Sequence, residues 1–355
     1  MNSNPEVSIL VSAYNATHYG AGYLEQLCKS IQAQTFGDFE VLIGDNGSTD
    51  NTAELVKPFL SDPRFKLLQW KPNRGLQHAV MILLNQARGR FWYLPGVDDV
   101  MEPQLIERRV SILRSRPEAA LVHGAVTWID ENGKLLLNDF TQKAMPEMNR
   151  RMPEATQSER MIRILLQHDI INWHSALIRT DITRMVLPFY VRYWECPLDW
   201  FLWILMAATG FDFLWDAESL TQYRVHSRSL SHVSEKEIAR QTERKLALLC
   251  ALRTASLYSP LAKNIWLEQR TAFYRWWLAT AFALKKKGAL KQRDLLLAAE
   301  AYHGFPVRSV NLWRELLIHG LPATLQYRRE KEANRRQLFQ VAGLSLMEDP
   351  LFKSC

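Results

Sequence analysis

The first hundred residues switch repeatedly between two hydrophobic periods, and that switching limits the folds open to the chain. Val7-Ser8-Ile9-Leu10-Val11 is a short apolar, β-branched run of the kind that forms a buried strand. Tyr23 to Gln34 then places Leu24, Leu27, Cys28 and Ile31 at helical spacing. Phe39 to Ile43 reads as a second strand and stops at Gly44-Asp45-Asn46-Gly47, after which Ser48 or Thr49 can cap a helix running through Leu60. Phe65 to Trp70 is a third strand, Gly75 to Ala87 a helix, and Arg90 to Leu94 a fourth strand. Strand and helix alternating in this way predict parallel βαβ units: an α/β fold, its sheet flanked by helices. Ligands of such sheets bind beyond the carboxyl ends of the strands. The polar residues at those ends are therefore the first candidates: Tyr14 and Asn15, Asp45, Asn73 and Arg74, and Asp98 and Asp99.

The middle of the chain is mixed. Ala120 to Ile129 reads as a strand, Asp130-Glu131-Asn132-Gly133 as a turn into Lys134 to Leu137, and 138–157 as a polar loop. Ser158 to Gln167 reads as a helix, Ser175 to Ile178 as a strand, and Asp199 to Ala208 as an apolar helix. Two further extended pieces follow, Phe211 to Trp215 and Gln222 to Val225. Beyond about residue 232 strand patterns give way to helical ones, and the charge changes with them. Residues 1–230 hold 23 basic and 26 acidic side chains, whereas residues 231–355 hold 21 basic and 11 acidic. The expected division is a catalytic domain over 1–235 and a helical, basic C-terminal region over 236–355.

Composition serves mainly to exclude. With 47% hydrophobic and 23% charged residues the chain matches globular averages, not a disordered or low-complexity one. Its four cysteines, Cys28, Cys196, Cys250 and Cys355, form no C-x-x-C pair, so neither a zinc knuckle nor a dithiol redox site is expected. Met1-Asn2-Ser3-Asn4-Pro5-Glu6 lacks the pattern of a secretory signal, and no apolar run of transmembrane length occurs. A cytoplasmic protein is expected. The net charge of +7 admits nucleic acid, an anionic membrane or a phosphorylated ligand. The tail carries no zinc spacing or RNA-binding signature, so nucleic acid is not expected as a partner.

Asp98 and Asp99 carry the most chemistry. Neighbouring carboxylates repel, and burying them together is costly unless a cation or hydrogen bonds compensate. Hard oxygen ligands at an open site suit Mg²⁺ or Mn²⁺, and those ions suit a diphosphate. On residues alone the pair also reads as a helix cap near Pro103 or a solvated turn.

Five segments follow one another in a set order. They are Val7-Ser8-Ile9-Leu10-Val11-Ser12-Ala13-Tyr14-Asn15; Val41-Leu42-Ile43-Gly44-Asp45-Asn46-Gly47-Ser48-Thr49-Asp50-Asn51-Thr52; Asn73-Arg74-Gly75 with Ala87-Arg88-Gly89; Val97-Asp98-Asp99; and Pro197-Leu198-Asp199-Trp200 with Gln222-Tyr223-Arg224-Val225-His226-Ser227-Arg228-Ser229-Leu230-Ser231. Over roughly residues 5–232 this series resembles the family 2 glycosyltransferases. The resemblance implies a GT-A fold: a mixed, mainly parallel sheet flanked by helices, here with an α-helical C-terminal appendage. It also implies transfer of a sugar from a nucleotide-sugar donor with inversion at the anomeric carbon.

Carried over position by position, the resemblance implies that Ala13, Tyr14, Asn15, Asp45, Arg74 and Asp98 bind the nucleotide. Asp99, with His226, is expected to hold Mn²⁺ or Mg²⁺. Asp199 is the expected catalytic base, with Glu195 as second candidate, because inversion by direct displacement needs a base for the acceptor hydroxyl. Two departures stand out. The common D-x-D-D appears as Gly96-Val97-Asp98-Asp99, and an Arg frequent after the base helix is replaced by Leu205-Met206, which leaves Arg224 and Arg228 as candidate phosphate contacts. Donor and acceptor specificity is expected in loops such as 138–157 and around His174. The expected partners are a nucleotide-sugar donor and a glycan or glycolipid acceptor. The apolar stretch Thr271 to Leu284, followed by Lys285-Lys286-Lys287, adds two readings: peripheral contact at the inner face of a membrane, or packing in a bundle or homo-oligomer. A non-catalytic module that binds a nucleotide sugar or a glycan, with an oligomerising or membrane-associating tail, is the alternative function.

Overall fold

The alternation becomes a nine-stranded sheet in a computed structural model that describes residues 4–20, 22–137, 153–168, 170–190, 198–229, 248 and 251–269. The strands are β1 (Val7–Ala13), β2 (Phe39–Asp45), β3 (Phe65–Gln69), β4 (Phe91–Tyr93), β5 (Val100–Met101), β6 (Ala119–Ile129), β7 (Ala155–Thr156), β8 (Leu177–Arg179) and β9 (Asp212–Arg224). Their order is β3-β2-β1-β4-β8-β6-β9-β5, with β7 paired to β9. The half built from β1 to β4 is parallel throughout, as the alternating pattern predicts. Beyond β4 the sheet is mixed: β8 runs antiparallel to both β4 and β6, while β6 and β9 are parallel.

Both faces of the parallel half are covered, which is why β1 and β2 read as continuous apolar runs. Val7, Ile9 and Val11 pack into one core with Leu24, Leu27 and Ile31 of α1 (Tyr23–Gln32) and Leu105, Ile106 and Val110 of α4 (Leu105–Ser115). The other face carries α3 (Leu76–Gln86), whose Leu83 lies against Gly44 of β2. The helix after β2 is shorter than expected: α2 spans Thr52–Val56, and Pro58 turns the chain into a 3₁₀ segment, Lys57–Ser61.

Several other expectations change. The two extended pieces near residues 211 and 222 are one continuous strand, β9. Ala155–Thr156 pairs with β9, inside the stretch expected to be loop, whereas 138–152 lies outside the described residues. Helix α5 (Ser158–Leu165) falls where expected. Helix α6 (Thr180–Tyr190) was not expected at all.

The chain divides into two compact units, Met1–Met185 with Thr209–Ser234 and Val186–Ala208 with Glu235–Cys355. In the second unit, α7 (Leu198–Ala207) is buried from Phe201 to Ala207. The Tyr258 hydroxyl donates to Leu205 O at 2.9 Å, and residues 251–255 and 260–269 are helical. The tryptophan-rich stretch from residue 271 lies outside the described residues. Among those described, no helix is long and apolar enough to cross a membrane.

Candidate functional site

Register brings the candidates together. Ala13 of β1 is level with Asp45 of β2, which is level with Gln69 of β3. The loops leaving β1 and β2 therefore start from one edge of the sheet. Side chains of the Gly47–Thr52 segment then fasten the two loops to each other. Ser48 Oγ accepts from Asn15 N at 2.9 Å, Asn15 Oδ1 accepts from Thr49 N at 2.8 Å, and Thr52 Oγ1 accepts from Ala16 N at 2.8 Å. Asp50 accepts from Thr17 N at 3.1 Å and from its hydroxyl. Asn15 sits in the left-handed region at φ 48, a conformation asparagine tolerates best among residues with a side chain. The Asn15 side chain thus serves as a loop strap. Ala13 is buried with its small side chain, whereas Tyr14 is 37% exposed.

Asp45 is buried, accepting from Ser48 N at 2.9 Å and Gln69 Nε2 at 3.0 Å. Beside it, Asn46 is a hub that sequence reasoning missed. Its Oδ1 accepts from Trp70 Nε1 at 2.7 Å and Arg74 N at 3.2 Å, and its Nδ2 donates to Asn73 Oδ1 at 2.9 Å and Gly75 O at 3.1 Å. Asn46 thereby fixes the loop that carries Arg74. Gly47 must be glycine: its φ is +78, and a Cβ there would lie 2.7 Å from Asn73 N. Arg74 itself is half-buried and approaches His78 Nε2 at 3.5 Å.

The acidic pair follows β4 and precedes β5. Since Val100 of β5 opposes Gln222 of β9, the residues before Val100 meet those after Gln222. Since Tyr93 of β4 opposes Leu177 of β8, the residues after Tyr93 meet those before Leu177. These two antiparallel pairings bring His226 and His174 to the aspartates. Asp99 is 1% exposed; its Oδ1 accepts from Arg224 N at 3.0 Å and its Oδ2 from Gly96 N at 3.2 Å. Oδ2 also lies 3.3 Å from His174 Nδ1. Burial, opposed by His174 and reinforced by the charge on Asp98, pushes the Asp99 carboxyl up to about 6. Asp98 is the more open partner, its side chain 20% exposed and its Oδ2 3.0 Å from His226 Nε2.

His226 is packed between Tyr19 and Tyr23, at ring-centroid distances of 6.2 and 5.6 Å. Its Nδ1 accepts from Arg228 N at 3.2 Å. A neutral ring so bonded carries its proton on Nε2 and donates to Asp98. In this arrangement His226 orients Asp98 from behind, and direct ligation of a metal by Nε2 would require moving that proton to Nδ1 against the Arg228 N–H. Its expected part as a ligand stays a proposal, and in the geometry seen it donates to the carboxylate. Arg224, expected as a phosphate contact, is corrected. It is buried and its donors are spent on the framework: Nε on Asp98 O at 2.8 Å, Nη1 on Asp130 O and Glu131 O, and Nη2 on Gln26 Oε1 at 2.9 Å. It clamps the acidic turn and is not placed to meet a phosphate. Arg228 is exposed and donates to His18 O.

Two adjacent carboxylates, one raised by burial and by its neighbour's charge, form a site short of positive charge. That donor set fits a hard divalent cation held by the aspartates. Asp199 is in the first turn of α7, in the second compact unit, with Oδ1 accepting from Trp200 N at 2.8 Å. Glu195 lies outside the described residues.

The family model for glycosyl transferase family 2 matches residues 8–184. Hyaluronan synthase of Pasteurella multocida is 31% identical over 151 residues, which are 42% of this chain and 15% of that protein. The putative glycosyltransferase EpsE of Bacillus subtilis is 30% identical over 135 residues, 38% of this chain and 47% of that protein. The chain thus matches less than half the length of either relative. Among solved structures, residues 1–349 of S. aureus TarS in complex with UDP-GlcNAc superpose with a TM-score of 0.56 at 17% identity, covering 96% of this chain and 93% of that one. The mannosyltransferase PcManGT of Pyrobaculum calidifontis, in complex with GDP-Man and Mn²⁺, gives 0.53 at 17% identity, covering 98% and 89%. The sheet is accordingly of the GT-A type.

Proposed function

The chain belongs to glycosyl transferase family 2, and on that footing we propose that it moves a sugar from a UDP- or dTDP-linked donor to a hydroxyl acceptor with inversion, in the synthesis of a bacterial surface polysaccharide or glycolipid. The observation that carries the reading is the Asp98-Asp99 pair, set beside the carboxyl edge of a parallel sheet and short of positive charge. The half of the chain that holds it is slightly acidic, with 23 basic against 26 acidic side chains over residues 1–230. A diphosphate arriving there needs a local cation.

In this reading Asp98 and Asp99 hold Mn²⁺ or Mg²⁺, and His226 keeps Asp98 turned toward it. Such an ion supplies Lewis-acid neutralisation of the departing diphosphate. Asp45 accepts from the pyrimidine base, Tyr14 stacks on its ring, and Arg74 meets base or phosphate. Ala13 and Asn15 shape the loop under the nucleotide. Asp199, opening an apolar helix, takes the proton of the acceptor hydroxyl, with Glu195 as the second candidate. Residues 1–235 form the catalytic domain, and the basic region 236–355 meets an anionic membrane surface or a second copy of the chain.

The test is turnover of a panel of UDP-, dTDP- and GDP-sugars with Mn²⁺ or Mg²⁺, followed by release of the nucleoside diphosphate. We expect release by the wild-type chain and its loss in Asp199→Asn. Donor binding without any turnover, under either metal and with glycan acceptors added, would overturn the enzymatic reading in favour of a binding module.

A further inference from the structure

We infer that His174 is a positioning residue for the acidic pair: through Nδ1 it fixes the buried Asp99 carboxylate, and so the shape in which Asp98 and Asp99 meet their ligand. The inference rests on the function proposed above and adds a residue to its machinery.

Asp99 is held by two backbone N–H groups, Gly96 at 3.2 Å and Arg224 at 3.0 Å. The His174 side chain faces it, with Nδ1 3.3 Å from Oδ2. That contact is within ion-pair reach but does not have hydrogen-bond geometry, and Nδ1 is buried with no hydrogen-bond partner among the described residues. A buried ring nitrogen without a partner is costly, and the carboxylate it faces is the group that relieves the cost. The turn behind Asp99 is equally tight: a Cβ on Gly96 would lie 2.7 Å from Asp99 Oδ2 and 2.8 Å from Asp98 Oδ1. Both carboxylates thus lie over the same glycine.

The ring is also held from its own side. His174 occupies a 3₁₀ turn, Trp173–Ser175, capped by Asn172, whose side chain accepts from His174 N at 2.9 Å. The carbonyl of His174 accepts from the Tyr93 hydroxyl and, at 3.2 Å, from Thr221 Oγ1. Its ring packs on Tyr223 at 5.6 Å between centroids. Strands β4 and β9 thus anchor the turn whose side chain points at Asp99. The side chain is 28% exposed while Nδ1 is covered, so the open part of the ring is the part away from Asp99. One imidazole then both braces the acidic pair and forms part of the wall beside it.

The geometry makes a specific demand. An asparagine amide at this position reproduces the Nδ1 position, whereas a glutamine amide reproduces Nε2. The experiment compares crystal structures and steady-state kinetics of wild type, His174→Asn, His174→Gln and His174→Ala. The expected result is that Asp99 leaves its bonds to Gly96 and Arg224 in the Gln and Ala variants, with kcat/KM for the donor lowered about 10- to 100-fold, as for other groups that orient ligating side chains. His174→Asn keeps Asp99 in place and stays within a few-fold of wild type. If the alanine variant does not fold, the Asn and Gln pair decides. Asp99 unmoved in His174→Gln, or Asn and Gln equally impaired, overturns the inference. Should wild type turn over no nucleotide sugar, the proposed function falls, while the position of Asp99 in the variant structures still decides this point.

Discussion

Two buried acidic clusters lie in the same sheet, and they are built in opposite ways. At one, Asp216 of β9 is gripped by Arg109, which is 0% exposed, and by Arg108 at 2.7 Å from α4. Burial alone would raise Asp216, but the hydrogen bonds from Arg108 and the charge on Arg109 hold it below the usual carboxylate range. At the other, Asp99 faces a second carboxylate, and burial raises it. The first cluster is complete in itself and ties a helix to a strand. The second carries the pair proposed above to hold a cation. The two shifts run in opposite directions although both carboxylates are buried, because one has guanidinium partners and the other faces a carboxylate.

The comparison can be broken from either side. The largest effect on stability is expected from Arg109→Met, which leaves Asp216 buried with only the partly exposed Arg108 as a guanidinium partner. The expected loss is about 3–5 kcal/mol by denaturant unfolding, with donor KM unchanged for the folded fraction. Adding Asp216→Leu should recover most of it, and failure to recover would mean that Asp216 is not the group left stranded. Next is Asp98→Ala, which should lower turnover by about 10²- to 10³-fold, the scale for removing a group that stabilises developing charge. Its melting temperature should stay near that of wild type, since a repelled carboxylate is lost. Gly47→Ala forces a side chain into a left-handed conformation and against Asn73 N, costing about 1–2 kcal/mol and raising donor KM through the Arg74 loop. An unchanged KM would separate that loop from the nucleotide.

The smallest effect is pH-linked. Glu40 is buried and would be raised by that, but bonds from Arg88, Ser8 and Lys66 hold it below its ordinary value, as Arg108 and Arg109 do Asp216. Groups depressed in the folded state contribute stability above their unfolded carboxylate range and lose it as pH falls through their folded values. Chemical denaturation below about pH 4 should therefore show stability dropping. Asp216→Asn should flatten the drop, and a drop of full size in that variant would remove Asp216 from its cause.

The parallel half of the fold was legible because β1 and β2 are covered on both faces and so are apolar throughout. Strand β9 was read as two pieces because Asp216-Ala217-Glu218 interrupts its pattern, and the arginines that make Asp216 tolerable there come from α4. Helix α6 was missed because Thr180, Ile182, Thr183 and Val186 are β-branched and Pro188 lies near its end. The acidic pair announced itself by adjacency. Its surroundings did not: the Asp98–His226 contact spans 128 residues, and His174 reaches Asp99 only through the pairing of β8 with β4. Arg224 was read as a phosphate contact because a lone arginine in sequence carries no sign of how many carbonyls will claim it. Ser48 and Thr49, read as helix caps, instead bond to Asn15 and strap two loops together, a part of Asn15 that the sequence did not show.

The central claim is that Asp98 and Asp99 hold a divalent cation for a nucleoside diphosphate. Calorimetric titration of UDP, in the presence and absence of Mn²⁺, into wild type and Asp98→Asn tests it without any knowledge of the acceptor. Mn²⁺ is expected to tighten UDP binding to wild type by about tenfold or more, and the isosteric variant to lose this gain while retaining the metal-free affinity. An equal gain in Asp98→Asn would contradict it.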